Sequence, residues 1–140
     1  MEVSFSVVGT PAPQGSKSFM GIRGGKGIMV ESSKKVKPWR KAVEAAAIEV
    51  KDVHGQFTGP IELHVTFYLE RPKSAPKSVT VPFRKPDLSK LVRSTEDALT
   101  TAGLIEDDAR IVRIVASKEF SGIGDVAQAG ATISIYSRKR

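Results

Sequence analysis

The sequence contains no cysteine, which excludes disulfide bonds and cysteine-ligated zinc or iron–sulfur sites. Because a chain without thiols suits a reducing compartment, we expect a cytoplasmic location. The chain also lacks any run approaching the roughly 18 apolar residues of a membrane span, and its first ten residues lack the basic start of a signal peptide. We therefore expect a mature protein that does not act at a membrane.

Acidic residues are scarce, with 15 Asp and Glu against 22 Lys and Arg, which gives a formal net charge of +7. Such an excess favours polyanionic partners through charge steering and counterion release. The basic residues concentrate in 17–41, in 71–93 and at the C-terminal end, and these segments nearly exclude acids. A solvated basic surface is the alternative, but three such segments favour nucleic acid. The candidate phosphate-binding residues are Lys17, Arg23, Lys26, Lys34, Lys35, Lys73, Lys77, Arg84, Lys85 and Lys90.

Hydrophobic periodicity predicts six strands and two helices. Alternating apolar residues indicate strands near 3–7, 60–70, 109–120 and 131–137, and two short strands flank a basic, glycine-rich tip at 23–27. Helical spacing indicates one helix from Lys37 to Gly55 and a second from Asp87, its N-cap, to Ala102, with Gly103 as the C′ residue. The order favours a single α+β domain over 1–140, with a mixed sheet and two main helices packed on it.

The residues exclude several common chemistries and leave the carboxylates. The chain has no thiol nucleophile, and His54 and His64 fall in different elements. The glycine-rich segment at 21–27 lacks the spacing of a phosphate-binding P-loop. Asp107 and Asp108 are adjacent and need a neutralising partner, which a hard cation such as Mg²⁺ provides. On a DNA-binding surface this combination favours phosphodiester hydrolysis; the alternative is a solvated acidic turn.

Chain lengths limit how Asp87 and Asp108 can share one ion. A helix from Asp87 to Gly103 rises roughly 24 Å, and five extended residues retrace at most about 17 Å. One chain can therefore hold both only if it doubles straight back; otherwise the helix ends early, or a partner subunit supplies the second carboxylate. Asp97 lies about 15 Å along the helix from Asp87, so we interpret it as structural.

The segment KPDLSKLVRSTEDALTTAGLIEDDARIV, residues 85–112, resembles the signature of the RusA family of Holliday-junction resolvases, common in phages and prophages. That signature opens a helix with Asp-x-Asp-Asn-Leu-x-Lys, continues with Asp-Ala-Leu and a glycine, and ends in an Asp-Asp doublet. Asp87, Leu91, Asp97-Ala98-Leu99 and Asp107-Asp108 match it. Ser89, Lys90 and Arg93 depart from it, standing where the family has aspartate, asparagine and lysine. Glu106 is a candidate replacement for the missing carboxylate.

The resemblance implies a homodimer, in a bacterial or phage-infected cell, that binds four-way DNA junctions and makes paired cuts with Mg²⁺ or Mn²⁺. It assigns catalysis to Asp87, Asp108 and Arg93, and metal binding to Asp87, Asp107 and Asp108. Phe83, in the basic loop, is a candidate wedge against bases at the crossover. Two alternatives stay open: a junction-binding protein whose site Ser89 and Arg93 have weakened, and a basic module that binds RNA or protein.

Overall fold

The computed structural model describes residues 1–15, 17–23, 26–31, 34–122 and 127–140, and gives the backbone alone for the two strands within 17–31. The elements are β1 (Glu2–Val8), β2 (Lys17–Arg23), β3 (Lys26–Glu31), α1 (Val36–His54), β4 (Ile61–Leu69), α2 (Leu88–Thr101), β5 (Ile111–Phe120) and β6 (Gly130–Ser137). A 3₁₀ turn, Asp108–Arg110, leads into β5. The predicted order and the α+β class are confirmed.

The described strands form a four-stranded mixed sheet in the order β1-β6-β4-β5 and a separate β2–β3 hairpin. β4 and β5 are parallel, while β6 is antiparallel to both β1 and β4. Two parallel neighbours need a crossover connection, and α2 lies within it. This crossover places α2 against the sheet and makes β5 an outer strand.

Buried apolar residues alternate with partly exposed ones along β4, and this alternation shows which face of the sheet is covered. Ile61, Leu63, Val65, Phe67 and Leu69 are buried, while the intervening residues are only partly so. Their neighbours on β6, Ile133 and Ile135, are fully buried on the same face. The helices cover this face, and the other carries polar side chains. The period of two seen in the sequence thus corresponds to a sheet covered on one side.

The outer strand β5 departs from this regular alternation. Its pairing with β4 shifts register between Ile61 and Glu62, so that Val112 is extra on the β5 side. Val112, Ile114 and Val115 are exposed by 58%, 46% and 42%. Three large apolar side chains on an unpaired strand edge are unusual, since such edges are ordinarily protected by charge or a covering element.

The second helix ends where its sequence signal places the end. Gly103 has φ 78°, the left-handed conformation that glycine adopts without strain. Its N–H donates to the carbonyl of Thr100 at 2.9 Å, and the N–H of Leu104 donates to that of Leu99 at 3.1 Å. These paired bonds form a Schellman motif and turn the chain sharply toward Asp108.

Buried hydrogen bonds fix α2 to its neighbours. The indole N–H of Trp39 in α1 donates to Thr95 Oγ1 at 3.1 Å, with both side chains buried. Ser94 Oγ, also buried, donates to the carbonyl of Ala12 at 2.6 Å. The N–H of Gln14 donates to the carbonyl of Lys90 at 3.0 Å. Residues 12–14 and α1 together hold α2 in one position on the sheet.

We expect Thr95→Val to lower the free energy of unfolding by about 1–3 kcal/mol, since it leaves the buried Trp39 indole N–H without its acceptor while preserving side-chain volume. Urea titration followed by circular dichroism measures this loss. Thr58→Val, at an exposed loop position, is the control and is expected to change stability by less than about 0.5 kcal/mol. Equal stabilities for the two variants would contradict a structural role for this bond.

Candidate functional site

Two carboxyl groups meet where the chain turns from α2 into β5. Asp108 opens the 3₁₀ turn, and its Oδ1 accepts a hydrogen bond from the hydroxyl of Thr100, in the last turn of α2. The carboxyl of Asp97, one turn earlier on the helix, shares a hydrogen bond with Asp108. Asp97 and Asp108, named here the Asp97–Asp108 pair, therefore form a close contact between like charges that favours either a proton or a cation.

Burial and like charge raise the pKa of two carboxyls here. Partial burial, followed by repulsion from Asp108 and Asp97, raises the pKa of Glu96 to about 7. Burial and the charge and hydrogen bond of Asp108 raise the pKa of Asp97, against the opposing charges of Arg40 and Arg93. Partly buried carboxyls that lie close together hold their protons to higher pH than isolated ones.

The neighbouring acids have local partners. Asp107 caps the 3₁₀ turn, because its Oδ1 accepts a hydrogen bond from the N–H of Ala109 at 2.9 Å. Glu106 Oε1 lies 2.8 Å from the guanidinium of Arg110. Within the doublet, Asp108 thus faces α2, while Asp107 holds the turn that positions it.

Asp87 occupies the other end of α2. It is the N-cap residue, as the sequence predicts, but its side chain makes no capping hydrogen bond. The carboxylate is 53% exposed, and its Oδ2 lies 3.8 Å from Lys90 Nζ. Ser89, in the first turn, is exposed. A carboxylate that gives up the usual capping bond keeps its oxygens available for another ligand.

The length of α2 separates these two groups within one chain. Thr100, the hydroxyl donor to Asp108, lies 13 positions after Asp87, which is about 20 Å along the helix axis. Aspartate side chains cannot bridge that span to a common ion. The sequence allowed a site within one chain only if the chain doubled straight back after α2. The chain does turn back at Gly103, but it brings Asp108 only as far as Thr100 and not to Asp87. Within the described ranges, no three Asp, Glu or His side chains form a group able to hold a metal ion.

Several residues near Asp108 went unnoticed in the sequence. Asp97 was interpreted as structural because it is remote from Asp87, yet it contacts Asp108. Arg93 lies three and four residues before Glu96 and Asp97, and Thr100 lies four and three residues after them, so the four share one helix face. That spacing was the available signal. Nothing in the sequence indicates Arg40, because its approach depends on how α1 packs against α2.

The basic candidates fall into three groups. Exposed cations line the surface around the 71–86 loop and the start of α1: Lys34, Lys35, Lys73, Lys77, Arg84 and Lys85. Lys90 lies beside Asp87, and the exposed Arg93 acts on the Glu96 and Asp97 carboxyls. The side chains of Lys17, Arg23 and Lys26 lie outside the described part of the chain.

Hydrogen bonds inside the 71–86 loop fix part of this basic surface. Arg71 Nη2 donates to the carbonyls of Pro76 and Ala75 at 2.6 and 3.2 Å. Lys118 Nζ, on β5, donates to the carbonyls of Arg84 and Pro86, each at 2.9 Å. The predicted irregular loop is therefore tied to the sheet immediately before Asp87.

The α+β fold, the strongly basic surface and the gathered carboxylates are the features expected of a protein that processes nucleic acid. The family model described as endodeoxyribonuclease RusA matches residues 8–133 of the 140-residue chain. The chain belongs to the RusA family of Holliday-junction resolvases, which confirms the resemblance. Comparison with curated proteins finds no match. No helix in the described ranges has the length and hydropathy needed to cross a membrane.

We expect Glu96→Gln to weaken the dependence of stability on pH. Because the folded pKa of about 7 lies above the ordinary value of 4.5, the folded state retains the proton longer, and the free energy of unfolding falls as pH rises between them. Removing the charge makes the variant more stable than the wild type above pH 7, by about 1 kcal/mol after discounting for solvent screening.

Urea unfolding in EDTA at pH 5 and pH 8 measures this difference. Glu49→Gln, on the exposed surface of α1, is the matched control for the loss of one negative charge. A stability difference between wild type and Glu96→Gln that is the same at both pH values would contradict the assignment.

Proposed function

We propose that the protein is a homodimeric, Mg²⁺-dependent endonuclease, also active with Mn²⁺, that resolves four-way DNA junctions by paired phosphodiester hydrolysis. Membership in an endodeoxyribonuclease family supports nuclease activity on DNA junctions. The observation that carries the proposal is the division of the carboxylates between the two ends of α2. Asp87 lies at one end and the Asp97–Asp108 pair at the other, on a chain of net charge +7.

The oxygen donors are of the kind that a hard divalent cation binds, but neither end of α2 gathers three carboxylate or histidine ligands among the described residues. Mg²⁺ takes oxygen ligands and uses one or two carboxylates together with water and phosphate. Asp87, with the Ser89 hydroxyl nearby, offers one half of such a set, and Asp108, positioned by Asp107 and Thr100, offers the other. Two chains related by a two-fold axis, with their α2 helices antiparallel, would complete the set.

The geometry of β5 supports this arrangement. Asp108 precedes the first residue of β5, whereas Lys118, near its last residue, binds the loop that ends at Asp87. The two half-sites thus lie at opposite ends of a strand about 30 Å long. A two-fold axis that pairs two β5 edges in antiparallel fashion brings each Asp87 toward the partner subunit's Asp108. The exposed Val112, Ile114 and Val115 provide the apolar contact.

The chain's own residues have distinct tasks in the proposed reaction. Asp87 and the partner subunit's Asp108 would hold the cation, which when bound would supply polarisation of the scissile phosphate and a lower pKa of the attacking water. Arg93 offsets the negative charge that develops on the phosphate. An arginine retains its proton, so protonation of the leaving oxygen falls to water. The exposed lysines position DNA phosphates without reading sequence.

We expect Asp108→Asn to lower the rate of Mg²⁺-dependent junction cleavage at least about 100-fold, because it removes a charged ligand at the site of phosphate activation. Asp107→Asn, which weakens the turn, is expected to cause a smaller loss. Cleavage of a mobile four-way junction with Mg²⁺ titrated from zero measures both. Asp52→Asn, at an exposed position of α1, is the control. Full activity in Asp108→Asn would refute the site.

Mixing two inactive variants separates a shared site from a single-chain site. In a heterodimer of Asp87→Asn and Asp108→Asn, a shared arrangement leaves one site with both substitutions and one site intact. Random exchange then restores about a quarter of the wild-type sites. On a supercoiled plasmid with an extruded cruciform, we expect nicked circles in place of linear product. Sites built within one chain would leave the mixture inactive.

A second candidate, a junction-binding protein with little activity, is favoured by Ser89 and Arg93. Serine supplies no charge to a cation, and arginine differs from lysine in geometry and proton donation. We expect Ser89→Asp to increase cleavage about tenfold if the natural site lacks a ligand. Ser6→Asp, at an exposed position of β1 outside the basic loop, is the control for the added charge. Salt-sensitive junction binding, with no cutting by wild type or Ser89→Asp under any divalent ion, would establish the second candidate instead.

A further inference from the structure

An apolar groove opens beside the segment that leads into Asp87, and neither Asp87 nor Asp108 is among its described lining residues. Its volume is about 520 Å³, within the range of small-molecule sites. Leu69 and Phe120, paired at the ends of β4 and β5 and buried, form its floor. Prolines and Val79 of the 71–86 loop form one wall, and the segment around Pro11 forms the other. The groove ends at Pro86, one residue before Asp87.

Hydrogen bonds hold the groove open in one shape. The guanidinium of Arg71 lies 5.9 Å from the centroid of the Phe120 ring and donates to carbonyls at the tip of the loop. Lys118 donates to the carbonyls of Arg84 and Pro86 at the other end. Both cations are used internally, so a ligand meets a preformed surface and does not have to order the loop.

The rim of the groove is cationic, whereas its floor is apolar. Lys35, Arg84 and Lys85 line it, and Glu70 is the one acid among the described lining residues. Phe83, 67% exposed, stands at the mouth with Arg84 5.7 Å from its ring centroid. A flat apolar ligand that carries negative charge matches this combination of aromatic ring, apolar floor and cationic rim.

We propose that this groove takes a single unpaired nucleotide from the branch point of the DNA, with its base on the apolar floor and its phosphate at the cationic rim. The inference rests on the proposed function, which it deepens by assigning structure selectivity to a site outside the carboxylates. Extruding a base costs least where stacking is already interrupted, as at a branch point. Continuous duplex cannot fill the groove, whereas a junction can.

A short single strand tests the groove without requiring cleavage. The probe is a pentanucleotide with 2-aminopurine at its centre, titrated in EDTA and followed by the emission of that base. We expect Phe83→Ala and Val79→Trp each to weaken binding about tenfold, the first by removing the ring and the second by filling the groove. Val53→Trp, at an exposed position of α1 away from the groove, controls for an added tryptophan and should bind as the wild type does.

A four-way junction completes the test, with 2-aminopurine at the branch point or in the middle of one arm. We expect the wild type to raise emission at the branch point alone, and both groove variants to abolish the rise. Wild-type-like binding of the pentanucleotide by both variants, or no emission change at the branch point, would overturn the inference. Dissociation of the dimer by Val79→Trp in sedimentation, with unchanged emission, would assign the groove to a second copy and also overturn it.

The outcome is distinguishable from failure of the proposed function. Binding of the pentanucleotide that depends on Phe83 and Val79 supports the groove even if no Mg²⁺-dependent cleavage occurs. Conversely, normal junction cleavage by both groove variants, with normal pentanucleotide binding, would support the proposed nuclease function and contradict nucleotide binding in the groove.

Discussion

The fixed length of α2 is the constraint on which the rest of the site depends. A helix that rises about 1.5 Å per residue cannot bring its first and last turns together. The hydrogen bond from Trp39 to Thr95 fixes its position against α1, and the Schellman motif at Gly103 fixes where it ends. The carboxylates at its two ends are therefore two separate electrostatic environments. One is exposed and beside a lysine, and the other is crowded with like charge.

This separation explains why the two ends differ in protonation. At the Asp97–Asp108 end, burial and repulsion raise the pKa values of Glu96 and Asp97, so this end is acidic in composition but only partly charged near neutral pH. In the proposed site, a cation that bound there would displace protons, so its binding would be coupled to pH. In the proposed dimer, an exposed carboxylate and a crowded one would share the ion, and the crowding would favour its binding.

The sequence predicted the fold closely because its signals were local. Gly55 and Gly103 marked the ends of the two helices, and alternation in β4 indicated its buried face. Because these signals are local, they predicted the functional site less completely than the fold. Asp87 was correctly expected at the N-cap, but helical spacing along 93–100 was not applied to the acids, so Glu96 was missed and Asp97 was interpreted as structural. The approach of Arg40 and the groove beside Asp87 depend on tertiary packing, which no local pattern records.

Lys118 joins three parts of the molecule that the chain order keeps apart. It belongs to the outermost strand, its ammonium group holds two carbonyls of the proline-rich loop, and that loop leads directly into Asp87. Any disturbance of the strand edge is therefore transmitted through one side chain to the residue that opens α2. In the proposed dimer this edge would contact the second subunit, so the position of Asp87 would depend on the assembled edge as well as on its own chain.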